Sequence, residues 1–328
     1  MDQTQKAVNH SGTAMGTMVS MTVYPLDKTD QDDAKALIDT VMAEVERLEK
    51  ECLSRRVETA EIFQLNENAG NDQGMSVSPF LESVLEESLK LSQESDGAFD
   101  ISVGALSVLW NIDAISAGEG DANIPAKAQI AEAMARCGYE KLTLQGGKAY
   151  LKKGTILDLG SIGKGLALDQ IRELLDARAK DDGVDVAGVF SMGGSVLTYG
   201  DKPNGKPWNV AIIDPADPSK TLGTLALKGG LCVSTSGDYE RYFEQDGVRY
   251  HHILDPSTGY PVGNGIHGVT IVSESGFLSD ALSTACFVLG PEKGMELAER
   301  HHAAILMAGD QGQIWMNDAM KSIYSPSK

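Results

Sequence analysis

Apolar residues recur at steps of three and four along residues 34–52, where Leu37, Ile38, Val41, Met42, Val45, Leu48 and Cys52 alternate with acids. That spacing predicts an amphipathic helix. A second helix opens at Ser78-Pro79 and runs through Leu81, Val84, Leu85 and Leu89, with the serine as N-cap and the proline in the first turn. A third is expected over 125–138, through Ile130 and Met134 to a stop at Gly138, and a fourth over 166–175, entered directly from a glycine-rich turn. Short β-like runs fill 18–24, 141–144, 155–159, 189–192, 208–213, 231–235, 250–254, 269–272 and 303–307. These runs cluster between helices instead of alternating strictly with them. The expectation is therefore an α+β architecture with mainly antiparallel sheets flanked by helices. No internal repeat, heptad stretch or low-complexity linker interrupts the pattern, and the Gly- and Asp-rich segment 117–123 reads as a surface loop.

Length and composition narrow the function classes. A chain of 328 residues, 42% hydrophobic, can fill a sizeable core. Lys plus Arg total 28 against 47 Asp plus Glu, a formal net charge of -19, which argues against a sequence-independent grip on nucleic acid or anionic lipid. A phosphate ligand would have to be held locally, by backbone N–H groups, one or two lysines, or a metal bound by carboxylates. Cys52, Cys137, Cys232 and Cys286 show no C-x-x-C spacing, so each reads as a small buried apolar residue. No run of 18 apolar residues is present. Residues 1–11 read as a flexible polar leader with no signal peptide, compatible with loss of a secretory or lipid-anchor segment, and residues 12–328 as one domain whose two lobes could hold a site between them.

Three segments could carry chemistry. In DLGSIGKG, residues 158–165, an apolar run ends, three glycines follow and a helix begins. Such a turn can present N–H groups to an anion, or can be a tight connection whose glycines serve close packing. It is neither a Walker A loop nor a Rossmann fingerprint. In SDALST, residues 279–284, Ser279 can cap a helix on which Asp280 and Thr284 lie four apart and share a face. A carboxylate and a hydroxyl so stacked offer hard oxygen ligands to Mg²⁺, or else form an acidic first turn favoured by the helix dipole with Thr284 merely buried. In HILDPSTG, residues 252–259, His252 could act as a general base, although a lone histidine is more often structural. His251 should face the opposite side of the strand. His301 and His302 close a helix, and His10 sits in the leader. GAFD at 97–100, where Phe99 could be core and Asp100 a helix cap, MGT at 15–17 and SMGGS at 191–195 are weaker signals, each compatible with a simple turn.

Taken in order, Met15-Gly-Thr17, Gly97-Ala-Phe-Asp100, the 158–165 turn, Met192-Gly-Gly194, the 252–259 segment and the Asp280/Thr284 pair resemble the ApbE family of FAD:protein FMN transferases, from about residue 12 to about residue 316. The resemblance implies an ApbE-like, T-fold-related α+β fold. It further implies Mg²⁺-dependent transfer of FMN from FAD to a Thr or Ser hydroxyl of a target protein, with AMP leaving. Carried over by position, Asp280 and Thr284 match metal ligands, and Ser161 matches a ligand through its carbonyl oxygen. Asp158, Lys164, Met15, Ala98, Phe99, Asp100 and Ile253 match FAD-contacting positions, and His252 matches the histidine of an H-x-x-D-P-x-T-G pattern. His252 or Asp280 would accept the proton of the incoming hydroxyl.

The chain departs from the family pattern in two places. Cys52-Leu53-Ser54 stands where a serine-threonine-tyrosine is common, leaving the aromatic that often stacks on the ligand unassigned, and Gly163 replaces a frequent alanine. Family members are usually exported and lipid-anchored, so a native extracytoplasmic lipoprotein, membrane-bound only through such an anchor, is the implied location. Two rival activities fit the same residues: an FAD pyrophosphatase giving FMN and AMP, and a flavin carrier that binds FAD without cleaving it. The lack of a dinucleotide fingerprint and the Asp280/Thr284 pair count against the carrier.

Overall fold

In a computed structural model, which describes residues 6–327, eight strands form one sheet. Their spatial order is Val8–Ala14, Thr17–Pro25, Val186–Met192, Ser195–Tyr199, Leu231–Gly237, Ile266–Ser273, Ala304–Gly309 and Ile314–Met316, every neighbouring pair antiparallel. Smaller antiparallel sheets of two and three strands stand apart from it. The α+β expectation with antiparallel sheets holds.

Helices Gln31–Arg47, Gly163–Asp182 and Gly276–Arg300 turn Leu37, Val41, Leu168, Ile171, Leu282 and Phe287 into a core shared with Val19, Phe190, Val269 and Ile271 of the large sheet. Among the described residues no helix is long and apolar enough to cross a membrane. All four cysteines are buried and free, and burial pushes the thiols of Cys52, Cys232 and Cys286 up to about 12, so they stay protonated and inert.

Several boundaries differ from the sequence pattern for identifiable reasons. The first helix begins at Gln31, where Asp30 and Asp33 form a capping box, and gives way to π-helix over Leu48–Leu53. Pro79–Glu94 is capped by Ser78 as expected. The third helix is confined to Lys127–Met134, and Gly138, at φ 128°, lies in the turn beyond it. The fourth runs from Gly163 to Asp182, longer at both ends than the apolar periodicity implied, and stops at Gly183 in the left-handed region. Residues 1–5 of the expected leader lie outside the described residues. Val8–Ala14 is not a free leader but an edge strand paired along its whole length with Thr17–Pro25.

The run 155–159 is not a strand. Leu157 instead pairs its N–H and C=O with the Asn66 side-chain amide (2.7 and 2.9 Å), Asp158 N donates to Ile101 O (2.7 Å), and Gly104 N donates to Ile156 O (3.0 Å). One side chain thus does the hydrogen bonding of a neighbouring strand, an arrangement that β-propensity cannot report.

His267, on Ile266–Ser273, joins two distant connections: Nδ1 meets Asp238 at 2.8 Å and Nε2 meets Asp310 at 2.9 Å. Burial opposes its charge, but the two carboxylates prevail and raise it above the usual 6.5. Its stabilisation is therefore complete below about pH 6.5 and lost as pH rises through the raised value. The thermal midpoint difference between the protein and His267→Ala should be larger near pH 6 than near pH 9. A pH-independent difference would contradict the pairing.

Candidate active site

The 158–165 turn and the start of Gly276–Arg300 meet at backbone contact. A Cβ on Gly165 would collide with Gly276 O, and one on Gly276 would collide with Gly165 O. These two glycines let the helices cross closely enough for Asp280 Oδ2 to accept from Gly165 N at 3.0 Å. The expected anion cradle is largely spent on the protein itself. Gly160 N donates to Asp158 Oδ1, Ile162 N and Gly163 N donate to Leu159 O, and Gly165 N donates to Asp280. Packing explains Gly165, and Lys164 is left as the turn's chief contribution toward an anion.

Ser279 does not cap the second helix. Ser275 does, accepting from Leu278 N, while Asp169 accepts from Gly276 N and Phe277 N at 2.7 and 2.8 Å. The dipole-complementing carboxylate is therefore Asp169, and Asp280 lies one turn further on. Asp280 is only 3% exposed, so its carboxylate oxygens need partners within the fold. Its Oδ1 has a 3.4 Å contact from Ser195 Oγ and stands 3.6 Å from Lys164 Nζ.

A chain of hydroxyls fixes this helix face. Ser234 and Ser236, on one side of Leu231–Gly237, bond Ser279 (2.9 Å) and Ser283 (2.8 Å), and Ser236 reaches Thr284 at 3.4 Å. Buried groups satisfied in this way hold Asp280 and Thr284 in register.

Asp280, Thr284, Ser236 and Lys164 open on a cavity that communicates with solvent. The structure brings Ala98, Phe99, Asp100, Asp158, Ser161, Lys164, His252, Ile253, Asp280 and Thr284 to its wall. Met15 is the exception: its amide donates to Glu49 at 2.9 Å and its methyl group lies 3.7 Å from where a Cβ on Gly163 would be, behind the turn. Asp100 does not cap a helix. Its carboxylate accepts from Ser102 N at 2.7 Å in a tight turn, and burial raises its pKa. The Met192–Ser195 connection is a tight hairpin turn with Gly193 at φ 57°.

His252, just past the end of the strand Val248–His251, faces this cavity, while His251 is buried against Phe287 and bonds Val262 O. His252 Nδ1 lies 3.3 Å from Arg241 O, and a carbonyl only accepts, so Nδ1 carries the proton and Nε2 the lone pair. Burial, then the nearby Arg241 charge, holds its pKa well below 6.5, so it is neutral at pH 7. His301 ends the helix Gly276–Arg300 as expected, and its Nε2 meets Glu94 at 2.9 Å.

Asp280, the Thr284 hydroxyl and the Ser161 carbonyl suit a hard cation that a phosphate ligand helps to hold, because Mg²⁺ takes few protein ligands and the outer oxygen of Asp280 is only loosely engaged. Among the described residues no group of three or more His, Cys, Asp or Glu is gathered to hold a metal alone.

The family model described as the ApbE family matches residues 15–307. The chain belongs to the ApbE family. An FAD:protein FMN transferase of Treponema pallidum is 35% identical over 297 residues, covering 86% of this chain and 79% of that protein. One of Escherichia coli is 30% identical, with 97% and 89% covered. Among solved structures, the ApbE protein of Thermotoga maritima superimposes with a TM-score of 0.85 at 30% identity, covering 97% of this chain and 99% of the other. The flavinyl transferase ApbE of Pseudomonas stutzeri, in its apo form, gives 0.81 at 29%, with both chains fully covered.

Within this ApbE chain, the sequence pattern did not single out the cavity residues Asp113 and Arg241 or the arginines that hold the wall's carboxylates. Arg55 forms a 2.7 Å ion pair with Asp158, and Asp113 binds both Arg56 and Arg241 at 2.8 Å. The one available signal was the Arg55-Arg56 pair in a strongly acidic chain, directly after Cys52-Leu53-Ser54. Trp110, which lines the cavity and donates to Gly259 O at 2.8 Å, lay in a stretch assigned no element.

Proposed function

We propose that this chain transfers the FMN half of FAD to a Thr or Ser hydroxyl of a target protein and releases AMP. It is an enzyme of the kind its relatives are named for, FAD:protein FMN transferases. The observation that carries the reading is the convergence of the buried Asp280 carboxylate, the Thr284 hydroxyl, a lysine and a neutral imidazole on one cavity.

Asp280, Thr284 and the Ser161 carbonyl would hold Mg²⁺, which when bound neutralises charge on the pyrophosphate. Lys164 adds a fixed positive charge beside it, within a chain of net charge -19. Ala98, Phe99, Asp100, Asp158 and Ile253 form the wall against which FAD is oriented, with Arg55 fixing the Asp158 carboxylate. Met15 packs against the 158–165 turn at Gly163. The acceptor oxygen forms a bond to the FMN phosphorus as the bond from that phosphorus to the AMP oxygen breaks. The hydroxyl proton passes to Nε2 of His252, whose Nδ1–H is held by Arg241 O. Residence outside the cytoplasm on a lipid anchor belongs to the same reading and rests on family resemblance alone.

Incubation with FAD, with and without Mg²⁺, beside a threonine peptide tests the proposal through AMP release and peptide mass. A peptide heavier by one FMN less water, formed only with metal, is the expected result. AMP accumulating over many turnovers without labelled peptide would identify a pyrophosphatase, and intact FAD a carrier.

A further inference from the structure

We infer that Asp113 is a positioning residue for His252, acting through Arg241. The carbonyl of Arg241 accepts from both His252 N (3.1 Å) and His252 Nδ1 (3.3 Å), so the place of this one carbonyl decides which imidazole nitrogen keeps its lone pair. Arg241 lies between a turn and the strand Tyr242–Gln245, and its side chain is tied by an ion pair, Nη1 to Asp113 Oδ1 at 2.8 Å. Asp113 comes from the short helix Ile112–Ser116, 128 positions earlier in the chain. Its other oxygen accepts from Arg56 Nη2 at 2.8 Å, which fixes the carboxylate plane and aims Oδ1 at Arg241.

Stability does not account for this clamp. All three side chains are 30% to 59% exposed, and ion pairs so placed contribute little to folding. What the clamp fixes is geometric: Asp113 and Arg241 line the same cavity as His252, and the tie runs from one cavity wall to the carbonyl behind the imidazole on another. The charged and titratable groups acting on the imidazole are Arg241, His251 and Lys164. The inference rests on the reading of His252 as the proton acceptor.

Two measurements test it. In ¹⁵N-histidine-labelled protein free of ligand, with the His252 signal assigned by its loss in His252→Ala, the imidazole should be wholly in the Nδ1–H form. In Asp113→Asn, a change of one atom that preserves shape, it should become a mixture with the Nε2–H form. In the transfer assay, Asp113→Asn should lower kcat roughly tenfold, the size expected for residues of one network, with KM for FAD within about twofold. Added to His252→Ala, the same change should cost nothing more. An unaltered tautomer, a raised KM at full kcat, or a loss that multiplies in the double variant would overturn the inference while leaving His252 as base. Full kcat in His252→Ala alone would instead overturn the reading of the base, and the catalytic half of the inference with it.

Discussion

Asp280→Asn should abolish metal-dependent transfer, lowering kcat by about a thousandfold or more while the protein stays folded. The magnitude follows from what a cation contributes at a pyrophosphate, several kcal/mol, at about 1.4 kcal/mol per factor of ten. Asparagine keeps an oxygen able to accept from Gly165 N, so the crossing of the two helices survives. Asp280→Ala would add a separate loss, because that buried N–H would go unpaired at a cost of about 1 to 3 kcal/mol. Comparing thermal midpoints with rates separates the effects: Asp280→Asn should melt close to the parent and Asp280→Ala below it, both without turnover. Undiminished turnover in either variant would remove Asp280 from the metal site.

His252→Ala should slow transfer by about a hundred- to ten-thousand-fold, the usual contribution of a positioned base, with FAD affinity nearly unchanged. The imidazole is aligned through Nδ1 by the protein and offers only Nε2 to a substrate, so its loss removes a proton acceptor and little binding surface. Because burial and Arg241 hold its pKa well below 6.5, the base stays unprotonated across the neutral range, and the rate of the parent enzyme should fall only as pH drops through that lowered pKa, well under 6.5. Fluorescence titration with FAD beside single-turnover rates checks both parts. A large loss of FAD affinity in the variant would make His252 a binding residue.

Two departures of the structure from the sequence pattern come from partners distant along the chain. Periodicity and caps report what a segment does with its near neighbours, and they located Pro79–Glu94 and most strands of the large sheet. They misplaced residues 155–159, where Leu157 pairs with the amide of Asn66, 91 positions away. They also offered Asp280 as the carboxylate of the first turn of Gly276–Arg300, where Asp169 reaches across 107 positions to the first free N–H and makes the carboxylate of Asp280 available for something else.

By itself, the sequence determined the fold class and the family, and of the site residues it proposed all but Met15 reach the cavity wall, because short motifs such as residues 158–165, 252–259 and 279–284 carry their chemistry in local spacing. Only the tertiary structure decided which glycines serve packing, that Met15 stands behind the wall, and which nitrogen of His252 is free. It alone joined Arg55 to Asp158 and Asp113 to Arg56 and Arg241. The physical reason is that hydrogen bonds and ion pairs act over about 3 Å in space whatever the separation along the chain, and spacing in sequence records only the partners that lie within a turn or a strand.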